Sequence, residues 1–175
     1  MSKLFLLLTF SLVAHIGITQ PLSEIRKKFH QAVKDPSFSE EFERYISEVS
    51  GEDPVIIAYK AVAEAMVAQD SWNPINKISR VTKFSKMMEK AVSEEQCNIE
   101  IRFLRFAVEY YLPPFLMMSK HLEEDRDFLI TNMTAINYLD IDQDFARYIL
   151  YFMNETGMVP PSQMAQLRAT FSDGQ

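Results

Sequence analysis

The sequence predicts an all-α domain of about eight helices packed as antiparallel pairs, either a short solenoid or an irregular helical bundle. Three observations lead there. Only 4 of the 175 residues are glycine, too few for a protein of hairpins, whose tight turns need positive φ. Apolar residues recur at spacings of three and four along most of the chain, the period of one helix face. Pro, Gly, Asp and Asn fall between these stretches, where helices start and stop. With 47% hydrophobic residues the chain has material for a core, which argues against disorder.

Residues 1–19 read as a signal peptide, leaving 20–175 as a single helical domain. Lys3 is the only charge before Glu24, and Leu4 to Ile18 is almost wholly apolar. That stretch has the length of a signal h-region and is short for a membrane span of about 20 residues. Cleavage after Thr19 would place Gly17 and Thr19 at the −3 and −1 positions. The expected location is therefore periplasmic or secreted, with membrane attachment only if the segment stays uncleaved.

The first helix is expected over Pro21–Val33, with Leu22, Ile25, Phe29 and Val33 on its inner face. Asp35-Pro36 stops it. A second places Phe38, Phe42, Tyr45, Ile46 and Val49 inward and ends at Gly51. Asp53-Pro54 is a strong start signal, an acidic N-cap followed by Pro at the first helical position. The third helix, about Pro54 to Gln69, is rich in Ala, which lets a neighbouring helix come close. Trp72-Asn73-Pro74 marks a turn. The fourth carries Ile78, Val81, Phe84, Met88 and Ala91 at helical spacing.

Asn98 caps a fifth helix that is apolar on nearly every side, as a central helix should be. Pro113-Pro114 ends it. A sixth covers about His121–Asn137 with Leu122, Leu129 and Met133. Asp140 or Asp142 opens a seventh with Phe145, Tyr148, Ile149 and Phe152 inward, closed by Gly157. Pro160-Pro161 introduces a last helix carrying Met164, Leu167 and Phe171. The third, fifth and seventh helices start near Pro54, Asn98 and Ile141, at separations of 44 and 43 residues, a spacing that stacked helix pairs would produce.

Asp53-Pro54, Ala58-Tyr59-Lys60-Ala61, Met88-Glu89-Lys90-Ala91-Val92 and the run Asn98-Ile99-Glu100-Ile101-Arg102-Phe103-Leu104-Arg105 resemble a family of uncharacterised small exported bacterial proteins of tetratricopeptide-like build. Leu122 to Leu129 fits the same pattern, so the resemblance covers roughly residues 53–132. EIRFLR is its most specific part. Gln96 stands where a standard repeat has Pro, and the turn around Trp72 is longer than a repeat of about 34 residues allows. The resemblance implies helical-repeat architecture and export, and no activity.

A net charge of −6 excludes a general nucleic-acid binder, which needs a basic face to displace counterions. The densest contiguous basic cluster, Arg26-Lys27-Lys28, is short. Cys97 is the single cysteine, so an oxidising compartment provides no internal disulfide and the fold must rest on its core. As a lone thiol at a helix end it reads as a small hydrophobe. Asn132-Met133-Thr134 and Asn154-Glu155-Thr156 match the glycosylation triplet, which is common by chance.

Arg102, Arg105 and Glu109 stand at i, i+3 and i+7 and form one polar stripe on the apolar fifth helix, with Glu100 on the opposite side. Two readings follow. The arginines could bind an acidic feature of a protein or peptide partner, since a guanidinium offers forked donors. Alternatively they pair with acids of the sixth helix, Glu124 or Asp125, and lock the two helices together. His121 and Glu124, at i and i+3, could serve a metal-dependent hydrolase if His30 joined them; acids in a first turn also simply suit the helix dipole.

Tyr110-Tyr111 and Phe115 to Met118 bracket the double proline, either as ordinary core or as an exposed contact patch. The Met and Phe content also admits a carrier of an apolar small molecule. The expected function is an exported, non-catalytic binding protein, with a groove between helix pairs as its contact surface and Arg102, Arg105 and Glu109 as its binding residues. No cofactor is implied, and no nucleic acid.

Overall fold

The computed structural model describes residues 22–134 and 142–172. The signal segment, and the expected helix positions Pro21, Asn137, Asp140 and Ile141, lie outside them. Among the described residues there are eight α-helices and no strand: α1 Leu22–Lys34, α2 Ser39–Glu48, α3 Pro54–Asp70, α4 Pro74–Glu94, α5 Ile99–Tyr111, α6 Leu122–Thr134, α7 Gln143–Thr156 and α8 Pro161–Ser172. The chain is all-α, as predicted.

Local signals set most of the boundaries. Asp53 accepts from the backbone N–H of Val55 and Ile56, with Pro54 in the first turn. Asn73, Asn98 and Asp142 cap α4, α5 and α7 in the same way. Gly157 ends α7 in the left-handed region (φ 65°), where a side chain would be strained. One expectation shifts. Helix α2 stops at Glu48 with Val49 as its C-cap, and Gly51 (φ 118°) follows three residues later. Helix α4 starts at Pro74, directly after the turn at Trp72-Asn73.

Helix α3 lies against α2, α4 and α5, and its closest partner is α4 across the turn at 71–73. Ala58, Ala61, Ala63 and Ala68 are buried there, the role expected of the small-residue helix. Helix α5 packs on α3 and α6 and touches α4 and α7. Its Ile101, Phe103, Leu104 and Phe106 are fully buried, so it is central too. Phe103 meets Phe145, Tyr148 and Phe152 of α7 edge to face, at centroid distances of 5.6, 5.6 and 5.5 Å. The last helix buries Met164 and Leu167.

Two inner-face expectations are corrected. Val33 is exposed, and Ala32 takes the buried position at the end of α1. Ile78 is exposed because the first turn and a half of α4, residues 74–79, extends beyond its neighbours. Apolar spacing identifies a stripe on a helix but not whether another helix covers it. Cys97, read as a small hydrophobe, is exposed in the α4–α5 turn.

Candidate functional site

The polar stripe of α5 faces the first turn of α6. Arg102, Arg105 and Glu109 are all buried, and Asp125 is fully buried between the two guanidinium groups. Arg105 donates from Nε to Asp125 Oδ2 at 2.6 Å and from Nη2 to Oδ1 at 2.8 Å. Arg102 Nε sits 2.5 Å from Asp125 Oδ1, an ion-pair contact without hydrogen-bond alignment. Its Nη2 lies 2.7 Å from Glu124 Oε1, and its guanidinium stacks over Phe128 at 4.6 Å.

Burial works against the charge on Arg105, but the hydrogen bonds and charge of Asp125 outweigh it, so the pKa stays above the ordinary arginine value. For the exposed Glu124 slight burial raises the pKa, and the charges of Arg102 and Arg105 overcome that and lower it. The charge on the stripe is thus balanced within the fold. Of the two readings made from the sequence, the geometry fits the pairing one: Arg102 and Arg105 clamp α6 to α5.

Glu109 continues the stripe toward the segment that enters α6. Its carboxylate accepts the backbone N–H of His121 at 2.7 Å and lies 2.9 Å from the ring Nδ1. Ser119 donates to the Glu109 carbonyl at 2.8 Å. These contacts fasten residues 119–121 to α5. A shallow cleft of about 70 Å³ opens between α4 and α5, walled by Ser85, Met88, Arg105, Glu109, Lys120 and His121.

Beyond the cleft, Pro113-Pro114 turns the chain out of α5 into a short 3₁₀ turn, Pro114–Leu116. Met117 follows with φ 52°, a left-handed conformation that costs a non-glycine residue about 1 kcal/mol. This elbow is not core. Phe115 and Met117 are each 81% exposed, and Tyr111 is exposed beside them.

The hydrolase residues are not assembled. Glu124 is engaged by Arg102, and His30 stands over Tyr148 in an aromatic cluster on α1 and α7, with ring centroids 4.3 Å apart. Among the described residues no group of three His, Cys, Asp or Glu could hold a metal ion.

Sequence reasoning missed two networks. Glu100, on the far side of α5, accepts from Arg26 Nε (2.9 Å), Arg26 Nη2 (2.6 Å) and Tyr59 Oη (2.6 Å), joining α1, α3 and α5. The hydrogen bond to Glu100 raises the pKa of Arg26. Burial, and then the charge of Glu100, raise that of Tyr59 well above the usual phenol value. Buried Glu64 of α3 bonds Arg80 of α4 at 2.9 Å and also pairs with Lys83. An acid standing among apolar residues of a helix was the available signal in both cases. Comparisons with family models, curated proteins and solved structures return no match.

Proposed function

We propose that this chain is an exported, non-catalytic binding protein that holds a protein or peptide partner along the α4–α5 cleft and the elbow beyond it. The observation that carries the reading is the elbow itself. Tyr111, Phe115 and Met117 are large, apolar and exposed on a segment whose backbone is held by two prolines. The prolines limit the backbone freedom lost on contact, and the flexible thioether of Met117 can adapt to a partner's surface. Lys120 lines the adjoining cleft and suits an acidic group on the partner, while His121 is engaged by Glu109, and Glu89 stands on the facing wall.

Arg105 and Glu109 serve this surface as its inner wall, with Arg102 behind them. Export rests on residues 1–19 and is part of the same proposal, as is a tetratricopeptide-like relation among the helix pairs. A binding role fits better than either alternative. The cleft is several-fold smaller than the roughly 300 Å³ or more of a small-molecule site, which disfavours a carrier. The hydrolase has no third ligand among the described residues.

The test is site-specific photo-crosslinking from position 115 in the native exported fraction. A defined protein adduct that Tyr111→Ser and Lys120→Glu abolish is the expected result. No adduct, or one indifferent to both changes, sinks the proposal.

A further inference from the structure

A second exposed surface lies at the α3–α4 turn, and it differs in shape and charge from the elbow. Trp72 is 94% exposed and Ile75 is 76% exposed, with Ile78 exposed one turn on. Residues 74–79 are exposed around the whole circumference of the helix, so this end of α4 is a convex tip and not the wall of a groove. Asn73 accepts from the N–H of Ile75 and Pro74 occupies the first turn, which makes the tip a preformed helix.

The same helix concentrates positive charge. It carries five of the 18 basic residues, Lys77, Arg80, Lys83, Lys86 and Lys90, and two of the 24 acidic ones. Arg80 and Lys83 lean on Glu64. Lys77 and Lys86 are exposed and in no ion pair among the described residues. At 100° per residue Lys86 falls in line with Ile75, on the face opposite the buried Val81, Phe84 and Met88. The outward side of α4 is therefore apolar at its tip, with Lys83, Lys86 and Lys90 behind it and Glu89 among them, while Lys77 stands on the other side of the exposed tip.

We infer that this face of α4 binds the surface of an anionic lipid bilayer, with Trp72, Ile75 and Ile78 entering the headgroup boundary. Three features select a bilayer over an acidic protein or a nucleic acid. A convex tip exposed on all sides is covered completely only by a fluid medium. Tryptophan, with an apolar ring and a polar N–H, is suited to the interface. Lysines behind an apolar tip are drawn to lipid phosphates. Among the described residues no helix is long and apolar enough to cross a membrane, so the attachment is peripheral. It does not depend on residues 1–19.

Trp72 is the only tryptophan in the chain, so its emission reports this surface alone. The full chain is titrated with vesicles of phosphatidylcholine, with or without phosphatidylglycerol, and with polyglutamate as an acidic polymer. The expected result is a blue shift and protection from iodide on anionic vesicles only, reversed by salt. Ile75→Ser with Ile78→Ser, and separately Lys77→Glu with Lys86→Glu, should each weaken vesicle binding about tenfold or more. All four positions are exposed, so melting temperatures should stay near that of the native chain. Equal binding to neutral vesicles, binding indifferent to both variants, or a blue shift with polyglutamate in place of vesicles would each overturn the inference.

Discussion

Arg105 and Asp125 meet in a two-pronged ion pair, 2.6 and 2.8 Å long, between α5 and a fully buried carboxylate of α6. Two buried charges cost several kcal/mol each to desolvate, so such a pair is worth little against an apolar replacement. Breaking it is another matter, because the surviving charge is stranded.

The first prediction follows. Asp125→Ala leaves Arg102 and Arg105 only the exposed Glu124 as a partner and should cost about 3–5 kcal/mol in chemical denaturation at neutral pH. Arg102→Ala should cost less, since Arg105 still bonds Asp125. An Asp125→Ala loss below about 1 kcal/mol would mean that the clamp is not structural.

Tyr59→Phe removes one hydrogen bond to Glu100 and leaves both from Arg26 in place. A hydrogen bond to a charged group contributes about 1.5–3 kcal/mol, and a loss in that range is expected. Glu100→Ala should cost more, because it leaves the buried Tyr59 hydroxyl and Arg26 without their acceptor. The reverse order of the two losses would contradict the network.

Burial, and after it the charges of Lys34 and Arg26, hold the pKa of His30 below its ordinary 6.5. Above about pH 6.5 the ring is neutral in both folded and unfolded chains and adds no pH dependence. As the pH falls below that value the unfolded chain takes up a proton that the folded one resists. Stability should therefore decline from about pH 6.5 down to the folded pKa. His30→Phe keeps a ring beside Tyr148 and should flatten the melting-temperature profile in that window. A variant profile parallel to the native one would show that His30 is not responsible.

Asp53→Ala deprives α3 of its side-chain cap and should cost about 1 kcal/mol, readable as a shift of the denaturation midpoint. Because α3 lies against α2, α4 and α5, the transition should shift as a single step. A separate early transition would mean that the start of α3 frays independently.

Much of the architecture was legible because it is local. An Asp or Asn followed by helical periodicity has one low-energy use, and Asp53, Asn98 and Asp142 all serve it. The polar stripe of α5 was legible as an exception to an apolar helix, and its acids on α6 were among the partners named. Arg26 and Tyr59 were not legible as partners of Glu100, since they lie 74 and 41 residues away and only packing brings them together. The basic residues of α4 escaped notice because they stand three or four positions apart and never form a contiguous run.

By itself, then, the sequence determined the helical class, the capped starts of α3, α5 and α7, the glycine stop of α7 and the buried character of α5. These depend on backbone hydrogen bonding and side-chain periodicity within a few residues. Tertiary structure decided which apolar faces are covered. It left Ile78, Phe115 and Met117 in solvent while Ala32 went inside. It also balanced Arg102 and Arg105 with Asp125 and Glu124. Burial and charge compensation depend on what stands opposite a residue, and that is settled only when the helices pack.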